Sequence, residues 1–105
     1  VKEEIQKWKG LVISALDFLD EGEIDKAAKV YSDFKEAITL REKELIKYER
    51  INHLTDSEVF LLLPAITEVK LSCKARIGTT NKKKLTETLV DCEDYLEYHL
   101  SMINS

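Results

Sequence analysis

EIDKAAKVYSDFKEAITLREKELIKY, residues 23–48, decides the fold. Ile24, Ala27, Tyr31, Phe34, Ile38, Leu45 and Tyr48 are its apolar positions, with Arg41 in the one polar slot of the series. They recur every three or four residues, the period that puts a single stripe on one side of an α-helix. Glu23 and Asp25 open the segment, while Lys43, Lys47 and Arg50 gather near its close. That is the charge polarity a helix dipole favours. The result is a helix of about 26 residues, roughly 39 Å long.

Such a helix cannot cover its own apolar stripe and needs neighbours. They lie on both sides. From about Glu3 to Leu19, the residues Ile5, Trp8, Val12, Ala15 and Leu19 repeat the period, and Gly22 follows where a C-terminal cap belongs. A third helix opens on a capping box, Thr55 with Glu58. It continues through Val59, Leu62, Ile66, Val69 and Cys73 and is expected to end at Gly78. Pro64 lacks an N–H and crowds the preceding turn, which predicts a kink or break. The fourth begins at Thr80 or Asn81 and has the seam Leu85, Leu89, Cys92, Leu96, His99 and Ile103. Thr88, Tyr95 and Met102 repeat every seven residues beside it. Connections this short force antiparallel neighbours. The expected fold is therefore all-α: a single helical domain over 1–105, an antiparallel up-down four-helix bundle with a long second helix and a Pro64 kink or break in the third.

Composition agrees. At 105 residues the chain fits one core. Three glycines and one proline are too few for a turn-rich β-sandwich. A charged share of 34% beside a hydrophobic share of 44% suits amphipathic helices and argues against disorder. No apolar run approaches the roughly 18 residues of a membrane span. Two isolated cysteines and no secretory leader point to a reducing, cytoplasmic setting.

Reflecting each helix about its turn predicts which residues meet. Arg41 falls opposite the start of the first helix, where its guanidinium can reach Glu3 or Glu4. One end of the bundle should gather Tyr48, His53, Val59 and His99. Cys73 falls opposite Leu85, leaving Cys92 about 10 Å further along the fourth helix. A disulfide needs Cα atoms within roughly 7 Å, so two free, buried thiols are expected.

Two surfaces stand out. Phe60, Pro64, Thr67 and Leu71 form a second apolar stripe on the third helix, more than one bundle face requires. Either that helix is buried on two sides or the stripe meets a partner, and a two-fold homodimer is the simplest closure. The second surface is basic. Lys70, Lys74, Arg76, Lys82, Lys83 and Lys84 occur with no acid between Glu68 and Glu87. Beside Thr79, Thr80 and Asn81 they make a candidate anion-binding turn for phosphate, a nucleic-acid backbone or an acidic protein. The competing reading is that they balance the acidic turn of Asp17, Asp20, Glu21, Glu23 and Asp25 at the same end of the bundle. A net charge of −4 weighs against nucleic acid.

Catalytic signatures are missing. There is no phosphate loop, nucleotide fingerprint or nucleophile elbow. His99 has only His53 and Cys92 as conceivable co-ligands, at none of the spacings metal sites use. Cys92 and His99 are two helical turns apart, too far for a nucleophile–base pair. The sequence thus predicts no enzyme, catalytic residue, metal or cofactor. It predicts a small helical interaction module (adaptor, chaperone-like binder, inhibitor or immunity protein, or assembly subunit) with a protein partner or a second copy and no membrane. The alternative is a nucleic-acid or phosphate-binding accessory protein using the Lys70–Lys84 turn.

Overall fold

The computed structural model describes residues 1–52 and 57–104, with side chains described at 1–48 and 61–103. It contains four helices: α1 (Lys2–Asp20), α2 (Ile24–Asn52), α3 (Ser57–Ser72) and α4 (Lys82–Asn104). There is no strand among the described residues. α1 packs on α2 and α4, α3 packs on α2 and α4, and α2 also touches α4 across the middle. That arrangement is a compact four-helix bundle. No helix is long and apolar enough to cross a membrane among the described residues.

The buried residues are the periodic ones. Ile5, Trp8, Val12, Ala15 and Leu19 are the buried positions of α1. Tyr31, Phe34, Ile38, Leu62, Ile66, Leu85, Leu89 and Leu96 lie completely inside. Arg41 does what its register requires: its Nε donates to Glu4 Oε1 at 2.8 Å, on the edge of the core. Further along the ring, Lys70 reaches Glu42 at 2.7 Å, and Lys9 reaches Glu97 at 2.9 Å.

The first turn closes tightly. Gly22 N–H bonds the Leu19 carbonyl and Glu23 N–H bonds the Phe18 carbonyl at 2.8 Å. This pattern requires a left-handed residue at Gly22, whose φ is +81°. α3 runs through Pro64 as one helix, so the expected element is not split in two.

It does not reach Gly78, however. α3 stops at Ser72, and residues 73–81 form a nine-residue connection. The amide of Cys73 bonds the Lys70 carbonyl, and that of Lys74 turns back to Ser72 at 2.8 Å. Gly78, with φ +88°, occupies the third position of a turn closed from Thr79 N–H to the Arg76 carbonyl. A type II turn places a left-handed residue there. The glycine thus shapes the loop instead of ending the helix.

Ala75, in the middle of this connection, is fully buried. The Tyr31 hydroxyl donates to its carbonyl at 2.6 Å, and Lys35 Nζ approaches the same oxygen at 3.4 Å. Its own N–H donates to Thr88 Oγ1 at 3.2 Å. Burial pushes the Tyr31 phenol above its ordinary range, so it remains a proton donor. Both backbone polar groups of the buried Ala75 are therefore satisfied by side chains of α2 and α4.

Two predictions follow from this packing. Leu89→Ala should cost about 2–5 kcal/mol in denaturant unfolding, as a fully buried seam truncation does. Tyr31→Phe should cost about 1 kcal/mol, and so should Thr88→Val. Because both bonds end on Ala75, the double variant should cost less than the two together, by about 0.5 kcal/mol or more. Strict additivity would show that Ala75 is not a shared anchor.

Candidate functional site

Pro64, Thr67 and Leu71 are all exposed, Leu71 at 72%. The second stripe of α3 therefore lies on the surface along its described length. The Phe60 side chain lies outside the described residues. Thr67 turns its hydroxyl onto the Leu63 carbonyl at 2.9 Å, so its polar group is already satisfied within the helix.

Across from this stripe, α4 presents Asp91, Asp94, Tyr95 and Tyr98, all exposed. Lys84, Asp91, Tyr95, Tyr98 and Met102 follow one another by seven, four, three and four residues, which sets them on one side of the helix. A groove runs between the two helices. Glu68, Asp91, Asp94, Tyr95 and Tyr98 line one part of it. Leu71, Ser72 and Lys74 join Glu68, Asp91 and Tyr95 in the adjoining part. Leu71 and the two tyrosines supply apolar surface, three carboxylates ring it, and Lys74 is the cation at one end.

His99 fixes the far wall. Its Nε2 lies 2.9 Å from Glu68 Oε2, and its ring meets Tyr98 edge-on with centroids 5.2 Å apart. The histidine, with its side chain 12% exposed, is held by these neighbours at the helix seam. Of the residues expected around it, His53 and the Val59 side chain lie outside the described residues. Among the described residues no group of three or more His, Cys, Asp or Glu is placed to hold a metal ion.

The basic cluster is divided by the fold. Lys70 is bound to Glu42 at 2.7 Å and belongs to the α2–α3 packing. Lys74 sits at the groove, whereas Lys82, Lys83 and Lys84 are exposed on the first turn of α4, and Arg76 is exposed in the connection. The polar groups expected to serve an anion cap the chain itself. Asn81 Oδ1 accepts from Lys84 N–H at 3.1 Å, and Thr79 Oγ1 accepts from Asn81 N–H at 3.2 Å. The acidic turn does come close: Gly22, Glu23, Ile24, Asp25 and Thr80 line one shared hollow.

The thiols are free and buried, as expected, but not far apart. Cys73 Sγ lies 3.7 Å from Cys92 Sγ. The reflection that put Cys73 opposite Leu85 assumed a helix reaching Gly78. α3 stops at Ser72, and the non-helical chain that follows covers more distance along the bundle per residue than a helix does, so Cys73 lies further along α4 than the reflection allows and meets Cys92 instead.

Four groove residues, Ser72, Asp91, Asp94 and Tyr98, escaped the sequence reading. The signal was available for Tyr98, three residues beyond Tyr95 and on the same side of the helix. Compared with protein-family profiles, curated proteins and solved structures, the chain matches none.

Proposed function

We propose that this chain is a small, non-enzymatic helical interaction module that works by pairing with a second copy of itself through the α3–α4 face. The observation that carries this reading is the exposed apolar surface of Leu71, Tyr95 and Tyr98 along one groove. Aromatic side chains of this kind anchor interfaces, because they bury much area for little loss of conformational freedom.

Charge placement favours a second copy as the occupant. The middle of the groove is acidic, through Glu68, Asp91 and Asp94. The end of the same face is basic, through Lys74 and Lys84. A two-fold partner uses one patch twice, so the basic end of each copy can meet the carboxylates of the other. The free thiols suit a cytoplasmic setting.

Sedimentation velocity should give a dimer at about 100 µM, an affinity modest for an interface of this kind. Leu71→Asp with Tyr98→Asp should give a monomer of unchanged helicity. A wild type that stays monomeric at that concentration would refute self-association and leave the face to another polypeptide.

Lys82, Lys83 and Lys84, exposed together on the first turn of α4, favour a second reading, a phosphate-backbone contact. On that reading, wild-type protein should be retained on heparin at about 50 mM salt, and Lys82→Glu with Lys84→Glu should abolish retention. Failure of the wild type to bind at low salt removes this alternative.

A further inference from the structure

Cys73 and Cys92 are 5% and 0% exposed, and their sulfurs are in contact. Cys73 opens the 73–81 connection, while Cys92 lies mid-way along α4, with its sulfur 3.9 Å from the Val69 carbonyl. Their surroundings are not symmetric. The hydrogen bond between the two sulfurs holds the Cys73 thiol below the ordinary thiol range, and the Lys35 charge helps, against the effect of burial. The same hydrogen bond pushes the Cys92 thiol up, and burial adds to the shift. One sulfur is therefore disposed to act as the nucleophile, while its neighbour keeps a proton.

We propose that Cys73 and Cys92 form a reversible disulfide site, closed by a small two-electron oxidant: a peroxide, or a low-molecular-weight disulfide. With hydrogen peroxide, the Cys73 thiolate attacks one oxygen and breaks the O–O bond. Cys73 becomes a sulfenic acid, and the departing hydroxide takes up a proton to leave as water. Cys92 Sγ then attacks the Cys73 sulfur. The S–S bond forms as the S–O bond breaks, and the Cys92 proton leaves with the oxygen as a second water. The two thiols lose two electrons and the peroxide gains them.

Geometry makes this closure local. The sulfurs must approach from 3.7 Å to about 2 Å. Cys73 lies beyond the last residue of α3, so the adjustment falls on non-helical backbone and α4 keeps its hydrogen bonds. The bond would fasten the end of α3 to the middle of α4. It needs neither a dimer nor a nucleic acid, so its test is independent of the function proposed above.

The reduced full chain, treated with hydrogen peroxide at neutral pH, should lose about 2 Da, the two thiol hydrogens. A non-reducing digest should link the Cys73 and Cys92 peptides, and the thermal midpoint should rise. Dithiothreitol should reverse all three changes. With oxidised glutathione, a mixed disulfide on Cys73 should appear and then resolve to the same internal bond. Two thiols still open to alkylation after unfolding, a stable glutathione adduct, sulfinic acid on Cys73 or a covalent dimer would each overturn the proposal. Cys92→Ala should trap sulfenic acid at Cys73 for capture by dimedone, whereas Cys73→Ala should trap none at Cys92. The reverse pattern would overturn the assigned roles, and the wild-type mass measurement stands even if a variant fails to fold.

Discussion

The hydrogen bond from the Tyr31 hydroxyl to the Ala75 carbonyl, 2.6 Å long and fully buried, is the constraint on which the second half of the bundle depends. A peptide group cannot sit inside a helical core without partners, because desolvating it unpaired is costly. Tyr31 from α2 and Thr88 from α4 supply those partners, and so fix Ala75 at one height in the bundle. Everything next to Ala75 inherits that height. Cys73, two residues before, is brought to Cys92. Leu71, four before, comes to line the same groove as Tyr95. The seam residues supply most of the burial, and the polar contacts at Ala75 hold the end of α3 in place against α2 and α4.

This explains where the sequence was legible. Periodicity identifies a buried face because burial acts on every turn of a helix in the same way: Ile5, Val12, Phe34 and Leu89 could be recognised one by one. Arg41 could be paired with Glu4 because the turn between α1 and α2 is short and regular, with Gly22 at its hinge. The connection after α3 is different. Cys73 continues the seam spacing and Gly78 resembles a cap, so a local reading extends the helix to residue 78. What ends it earlier is a set of partners on other helices, Tyr31, Lys35 and Thr88, which local spacing does not register. Counting those six residues, 73–78, at helical rise understated the distance the connection covers along the bundle, and so separated two cysteines that touch.

The candidate surfaces were affected in a similar way. Charge density along the chain grouped Lys70 with Lys82, Lys83 and Lys84, yet Lys70 faces α2 and is occupied by Glu42. The apolar surplus of α3 was plain in Leu71, but its complement on α4 was only half visible. Tyr95 belonged to a recognised seven-residue repeat, while Tyr98 falls outside that repeat although its three-residue spacing from Tyr95 sets it on the same side of α4. A groove belongs to two helices at once, and its walls are read from one helix at a time.

The placement of Ala75 also divides the connection into two stretches with unequal tolerance for changes in chain length. Between Ser72 and Ala75 the backbone spans a fixed path, turning back at Lys74 before entering the core. An insertion or deletion there would misplace the buried peptide or drag the end of α3 out of register. Beyond Ala75, residues 76–81 are mostly exposed and bend through Gly78 before Asn81 caps α4. Loops of this kind lengthen at little thermodynamic cost. Grafted peptides, tags or natural insertions are thus best accommodated after Arg76, at a site that leaves the core, the groove and the thiol pair undisturbed.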